Sequence, residues 1–592
     1  YYRYMLSFIL REHRSAKTGS AGAEDGGFAS LWSETAEEKK KDFKIITNLV
    51  LEEFGAKELR FSVKEKVSHN FREGDIAIFY RNDVTGGSPV NAELIRGTIQ
   101  KLANDEVVVE MRNRQVDGNY FAKGTEWNIE HDVIESNFWN TVRLLFEFVK
   151  APKYKRELIL GLREPEKGSA KYESDKNLSK DQNDNIKKAV TAEDYYLIQG
   201  PPGTGKTSTT LTGIIKNLVK SNTKIVILAY TNRAVEEICG NLSKNGISFV
   251  RTGRKVSEDS MGEEFIPVTN VVISTVTSFV SKIHELEGIY EFDTLIVDEA
   301  SQLTEADLSG ILAKFRKFIL IGDQNQMPSV VTQTNIESEV KDEALRRLGI
   351  TNFNRSLFER LYGICVKKKW HHAYGMLETH YRMHREISGL INVHYGNKLI
   401  EGRETQNDEF TMFDGGSKDG VEKMLSKSRT IFIESEYIKS SKTNRDEAEK
   451  TVSILKTIKK VFGENFSEKT VGVVTPFRAQ IALIKSFIGD AELSEKVTID
   501  TVERFQGSER EIIIASFAVY NSFQMKNLQS LNSADIDRKL LVTLSRAASQ
   551  IILLGYAPVL SEGIYYEQVI KHIRKNGLYV SRKEAELIFA KK

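Results

Sequence analysis

The stretch LIQGPPGTGKTSTT, Leu197 to Thr210, restricts the fold more than any other part of this chain. Its spacing places Gly200, Gly205, Lys206 and Thr207 in a G-x-x-x-x-G-K-[ST] pattern. The apolar YYLIQ before it reads as a buried strand, and TSTTLTGIIKNLVK after it as a helix with Leu211, Ile214, Ile215 and Leu218 on one face. Strand, glycine loop and helix in that order form a cradle for phosphate. Glycine lets backbone N–H groups turn inward without a Cβ clash, and the helix N-terminus adds positive potential. Pro201, Pro202, Gly203, Thr204 and Ser208 complete the expected nucleotide-lining loop. Lys206 is expected to reach the β- and γ-phosphates, and the Thr207 hydroxyl to take a Mg²⁺ position. The loop leaves open whether the triphosphate serves a kinase, a transporter, a GTPase or a motor.

Short apolar runs alternating with amphipathic helices follow Gln182. The first series is YYLIQ, KIVILAY, VVISTV, DTLIVDEA and KFILIGD; the second is RTIFIES, TVGVVTP, EIIIASF, KLLVTLS and QIILLG. This pattern predicts two α/β domains, each a parallel sheet covered on both faces. The 592 residues are enough for roughly three or four domains. No apolar run is long enough to span a membrane, so a membrane partner is not expected. Cys239 and Cys365 permit one disulfide at most, which points to an intracellular setting, the cytoplasm of a bacterium or a eukaryotic nucleus. The net charge of +2 decides nothing, since a nucleic-acid binder needs only a basic groove.

Before these domains the character differs. Residues 12–30 are rich in Gly, Ala and Ser and read as a loop, and 33–55 carry a charged, helical pattern. From about residue 63 to 132, DIAIFYR, AELIRGTIQKL, EVVVEMRN and WNIEHD alternate around turn signals such as Gly86-Gly87 and Asn104-Asp105, which predicts a small antiparallel barrel. Residues 133–163 return to helix. The expected division is an N-terminal segment at 1–35, a helical stalk with the barrel at 36–165, a first motor domain at 166–350 and a second at 351–592. Residues 402–420 read as a mobile, polar, Gly-rich loop.

Charged groups fall at strand ends in both halves. LIVDEASQ ends a strand on Asp298, suited to hold Mg²⁺, and Glu299, suited to orient and deprotonate water. LIGDQNQMP brings Asp323 and Gln326, an amide able to sense the γ-phosphate. HYRMH and LSRAA each offer an arginine, Arg382 and Arg546, suited to spread over transferring phosphoryl oxygens.

The ordered blocks LSKDQNDNI, GPPGTGKT, AYTNRAVEEI, ISTVTSF, VDEASQ, GDQNQMP, SLFERL, HYRMH, VVTPFRAQ, IDTVERFQGSERE and LLVTLSRA resemble superfamily 1 helicases of the 5′-to-3′ branch. That branch holds the nonsense-mediated-decay helicase and the Okazaki-fragment nuclease–helicase. The resemblance implies tandem RecA-like motor domains after a small barrel on a helical stalk, with ATP and Mg²⁺ used at the seam. It implies that Gln182 reads the adenine edge, Tyr381 stacks on the base and Glu509 meets the ribose. Thr231, Asn232, Thr275, Thr277, Pro476, Arg478 and Thr501 would line the nucleic-acid track. Departures from the family pattern are His380, Arg385, Ala548 and Ser329, none of them a phosphate-contacting charge.

The expected function is an ATP-driven, monomeric 5′-to-3′ translocase on single-stranded nucleic acid, with DNA favoured over RNA, that unwinds duplexes. An RNA helicase and an ATP-switched clamp or remodeller that unwinds little are the alternatives. A small-molecule kinase would lack a second domain with Arg546 and RFQG. The opening residues also look like the junction that follows a nuclease module, although no nuclease site is visible in the chain itself. The barrel reads equally as a gate beside the track and as a plain structural module.

Overall fold

A computed structural model of the protein describes every residue except 19–33, 42–43, 65–68, 70, 72, 86–88, 104, 133–134, 170–171, 253–268, 290, 440–441, 506, 533 and 591–592. The chain divides into two compact units, residues 1–142 with 331–339, and residues 143–330 with 340–592.

The first unit holds helix α1 (Tyr2–Thr18) and a closed six-stranded barrel. Its strands are β1 (Ile45–Phe54), β2 (Glu58–Val63), β3 (Ile76–Arg81), β4 (Ile95–Leu102), β5 (Glu106–Met111) and β6 (Glu126–His131), in the order β1-β2-β5-β4-β3-β6. Every pairing is antiparallel. Leu49, Phe61, Phe79, Val109 and Trp127 fill the interior. The barrel thus starts at Ile45, not near residue 63. Among the described residues, the helical pattern expected over 33–55 survives only at Ala36–Lys41. The run IITNLVL becomes a strand because pairing with β2 and β6 closes the barrel and buries nearly all of it. The loop expected from residue 12 likewise begins later, since α1 runs on to Thr18 and buries Ala16. The rest of that expected loop, together with the Gly86-Gly87 turn and Asn104, lies outside the described residues.

The helical stretch after the barrel is α2 (Glu135–Lys150) and α3 (Lys153–Ile159). The second unit then contains two wholly parallel sheets. The first is built from β7 (Tyr195–Gln199), β8 (Ile225–Ala229), β9 (Val250–Arg251), β10 (Val271–Thr275), β11 (Thr294–Val297), β12 (Lys317–Gly322) and β13 (Tyr374–Met376), in the order β13-β7-β12-β11-β8-β10-β9. The edge strand β13 pairs with β7, so this sheet takes chain from beyond the division expected at residue 350. Helices α4 (Lys180–Thr191), α5 (Thr212–Lys220), α6 (Asn232–Lys244), α7 (Val276–Ile289) and α8 (Leu357–Lys367) belong to this half.

A two-stranded ribbon, β14 (Thr379–His380) and β15 (Ile400–Glu401), precedes the second sheet. That sheet joins β16 (Thr430–Glu434), β17 (Val471–Val474), β18 (Thr498–Asp500), β19 (Arg510–Ser516), β20 (Ala547–Gly555) and β21 (Leu578–Val580), in the order β18-β17-β19-β20-β16-β21. Helices α9 (Arg445–Phe462) and α10 (Arg538–Ser545) belong to it. KLLVTLS, expected as a strand, is α10. Asp537 caps it by accepting from the Lys539 and Leu540 N–H groups, and its residues are buried on every side. All-round burial erases the periodicity that separates helix from strand. The 402–420 segment, expected to be mobile, is anchored where the Gln406 side chain donates to the Met383 carbonyl at 2.8 Å and where Phe413 is buried. Both cysteines are free.

Candidate nucleotide and nucleic-acid site

The sheets present strand ends, where functional side chains collect. Strand β7 is fully buried up to Gln199 and then opens into the glycine loop. Gly203 and Gly205 adopt φ of 77° and 73°, a left-handed conformation that favours glycine. A Cβ on Gly200 would strike the Lys206 side chain at 2.0 Å, so the lysine lies directly across the loop. The helix after the loop opens with one π-helical turn, Lys206–Leu211, before α5. Thr204, one of the loop residues, donates its hydroxyl proton to the Pro201 carbonyl and stiffens the turn.

Opposite the loop, β11 ends in the acidic pair. The Thr207 hydroxyl donates to Asp298 Oδ2 at 2.6 Å. Asp298 is fully buried, and burial, reinforced by the Glu299 charge, raises its pKa. A hydroxyl and a carboxylate are hard oxygen donors of the kind that suits Mg²⁺, so this pair fits that ion. Glu299 is itself left-handed at φ 53°, a costly conformation for a non-glycine residue, and its carboxylate meets Lys206 Nζ at 3.3 Å. Gln326 donates to Asp323 Oδ2 at 2.7 Å and to the Gly200 carbonyl at 3.4 Å. Its own oxygen accepts from Arg546 at 3.3 Å. This amide therefore links the glycine loop of the first sheet to an arginine of the second.

Arg546 is 2% exposed. Its other hydrogen bonds go to the Val542 and Ser508 carbonyls and the Ser545 hydroxyl, all neutral. Burial, with repulsion from Arg382, lowers its pKa to about 9. A guanidinium buried among neutral acceptors is costly unless an anion offsets it. Arg382 reaches the same place from the ribbon. The Tyr381 N–H donates to the Gly203 carbonyl at 2.9 Å, and a Cβ on Gly203 would come within 2.7 Å of Arg382 Cβ. The Arg382 side chain pairs with Glu509 and donates to the Ser545 carbonyl.

These groups surround one cavity of about 790 Å³. Pro201, Pro202, Thr207, Ser208, Glu299, Tyr381, Glu509 and both arginines line it; Asp298 lies behind its wall. Gln182 lines it too, but both protons of its amide are taken, by the Thr204 carbonyl at 3.0 Å and the Thr209 hydroxyl at 3.1 Å. Its oxygen accepts from the Ser179 N–H in a capping box at the start of α4. Only that oxygen retains a lone pair for the amino group of an adenine. Sequence reading missed Arg233, Arg403, Lys469 and Arg510, which also line the cavity. Arg233 and Arg510 adjoin Asn232 and Glu509, so adjacency was the available signal; Arg403 and Lys469 carried none.

The expected track residues occupy C-terminal strand ends. Thr231, after β8, caps α6 by accepting from the Ala234 N–H at 3.2 Å, and Asn232 is exposed beside it. Thr275 ends β10, buried and bonded to Ser278, while Thr277 is exposed in α7. Pro476 and Arg478 follow β17, and Thr501 follows β18. Among the described residues no cluster of three or more His, Cys, Asp or Glu suits a metal ion, and no helix is long and apolar enough to cross a membrane.

Two AAA-domain family models match the chain, one over residues 182–332 and the other over 353–558. A DNA replication ATP-dependent helicase/nuclease of Arabidopsis thaliana is 28% identical over 66% of this chain and 29% of its own length. Its Gallus gallus counterpart is 29% identical over 68% of this chain and 38% of its own length. An uncharacterized ATP-dependent helicase of Methanocaldococcus jannaschii is 24% identical over 88% of both chains. The chain thus spans about a third of the helicase/nuclease relatives. With two matched AAA domains, two parallel sheets and a glycine loop facing two arginines across one cavity, the chain is similar to the superfamily 1 ATP-dependent helicases.

Proposed function

We propose that this chain hydrolyses ATP to move 5′ to 3′ along single-stranded nucleic acid, DNA before RNA, and to separate duplexes. One observation carries the reading: Arg546 of one sheet, buried with only neutral hydrogen-bond partners among the described residues, and Lys206 of the other line the same cavity. The γ-phosphate supplies the anion that Arg546 lacks as a hydrogen-bond partner and draws Lys206 from Glu299. Lys206 and the N–H groups of the glycine loop hold the phosphates; Thr207 and Asp298 would hold Mg²⁺, which neutralises charge on the phosphate oxygens. Glu299 orients water and takes its proton. Arg382 exchanges Glu509 for phosphate, and Gln326 relays the phosphate's presence to Arg546. Loss of phosphate removes the attraction between the halves, so each turnover alters the grip of the strand ends. Thr231, Asn232, Thr275 and Thr277 form one half of that grip, and Pro476, Arg478 and Thr501 the other. Grip through phosphates does not separate DNA from RNA; the preference for DNA rests on the helicase/nuclease relatives. The motor acts as an intracellular monomer, and a nuclease module upstream would complete the likeness to those relatives.

The test is ATP turnover with matched DNA and RNA oligonucleotides, followed by strand separation on a 5′-tailed duplex. Stimulation by DNA and opening of the duplex support the reading. Stimulation without opening would favour a clamp or remodeller, and stronger stimulation by RNA an RNA helicase. Glu299→Gln should bind ATP and lose about 10²–10⁴ in turnover, the range of a general base.

A further inference from the structure

Three tyrosines lie together at the C-terminal edge of the second sheet. Tyr437 follows β16, Tyr520 follows β19 and Tyr556 immediately follows β20. These strands are neighbours in the order β19-β20-β16. The Tyr437 ring lies 5.3 Å from Tyr556 at 60° and 6.3 Å from Tyr520 at 72°, both edge-on contacts. Tyr437 is nevertheless 49% exposed, and Tyr520 and Tyr556 are half-buried. Among the described residues none of the three hydroxyls has a hydrogen-bond partner. An aromatic residue held by two others yet half open to solvent leaves apolar ring surface uncovered.

The edge is held from beneath. Glu447 of α9 is fully buried and accepts from the Ser435 hydroxyl at 3.0 Å, the Ser516 hydroxyl at 2.8 Å and the Ala518 N–H at 3.0 Å. Ser435 lies two residues before Tyr437, and Ala518 two before Tyr520. The Ser435 N–H also donates to the Gly555 carbonyl, next to Tyr556. One carboxylate and one backbone bond therefore fix the three strand ends relative to each other. Nearby acids are engaged locally: Glu436 with Arg582 at 2.9 Å, Asp446 with Lys450 at 2.6 Å, and Glu562 with the Ser522 hydroxyl at 2.9 Å. Lys439 is exposed two residues after Tyr437.

We propose that Tyr437, backed by Tyr520 and Tyr556, is a base-stacking platform for the single strand. This rests on the proposed nucleic-acid motor and deepens it. The platform shares the C-terminal edge of the sheet with Pro476, Arg478 and Thr501, which follow β17 and β18. The strand-end groups hold phosphates, while the tyrosines take the π-face that every base possesses. Such contacts tolerate any sequence and resist salt better than phosphate contacts do. The occupant is the unpaired base, since a duplex offers its faces only at an end.

The experiment compares wild type, Tyr437→Ala and Tyr437→Phe for binding of a fluorescent DNA 20-mer and an abasic 20-mer of the same backbone. Tyr437→Ala should weaken binding of the base-bearing strand on the order of tenfold, the range for loss of one stacked base. Tyr437→Phe should restore it, binding of the abasic strand should be unchanged in all three, and ATPase without strand should stay at the wild-type level. Equal affinity of Tyr437→Ala and wild type for the base-bearing strand would overturn the platform, as would an equal loss on both strands. If wild type bound neither strand and its ATPase were unstimulated, the motor reading itself would fall.

Discussion

Arg546 is a test of purpose at a single residue. A guanidinium buried among neutral acceptors weakens the nucleotide-free fold. Arg546→Met should therefore lower ATP turnover by about 10³–10⁵, as loss of an arginine finger does, without lowering the melting temperature. Steady-state turnover with saturating oligonucleotide and a thermal melt measure the two effects. A structural arginine would show the reverse. Glu447 gives a prediction in pH. Burial raises its pKa from 4.5 to about 7, so the folded chain binds the proton more tightly than the unfolded one. The contribution of this group to stability is greatest below pH 4.5, falls as pH rises towards 7 and is constant above. Its size is on the order of 3 kcal/mol. Urea unfolding at pH 5 and pH 8 should show a smaller drop in Glu447→Gln than in wild type. Much of the cavity lining was legible, because Lys206, Thr207, Glu299 and Arg546, which line it, and Asp298, bonded to Thr207, stand in short patterns whose chemistry is local. Arg403 and Lys469 were not, because only packing brings them to the cavity.

At the scale of elements, the capping box at the start of α4 joins the helix to the glycine loop. The Ser179 hydroxyl accepts from the Gln182 N–H, and the Gln182 amide braces the Thr204 carbonyl of the glycine loop. Ser179→Ala should cost about 1 kcal/mol in stability, as for other helix caps. It should also raise KM for ATP several-fold with little change in kcat, measured by initial rates. Strands of the two parallel sheets were readable because burial on both faces demands continuous apolar runs. The same signal misread α10, where a helix is buried on all sides. It also missed β1, whose charged flanks read as helix until pairing with β2 and β6 is considered. Short edge strands such as β13 and β18 owe their conformation to a neighbour and carry little local signal.

For the whole molecule, the two parallel-sheet halves are joined by a buried ion pair. Arg538 of α10 donates to Glu359 of α8 at 2.6 Å and to the Gln324 carbonyl at 3.1 Å. Both charged residues are at least nine-tenths buried. Glu359→Gln should destabilise by about 3–5 kcal/mol because it strands a buried cation, whereas Glu359→Met with Arg538→Met should recover most of that loss. Urea denaturation of the three proteins checks this.

The sequence by itself determined the phosphate loop, the acidic pair, most strands of the parallel sheets and the resemblance to helicases, since each is written in short runs of adjacent residues. Only the tertiary structure decided that Arg546 is buried beside Gln326, that Arg382 abuts Gly203, that the barrel begins at Ile45 and that three tyrosines share one edge. Backbone conformation near a glycine loop follows from local sterics. A seam, a barrel closure or a cluster of rings depends on how much surface leaves water when distant segments meet, and no short window of sequence encodes that.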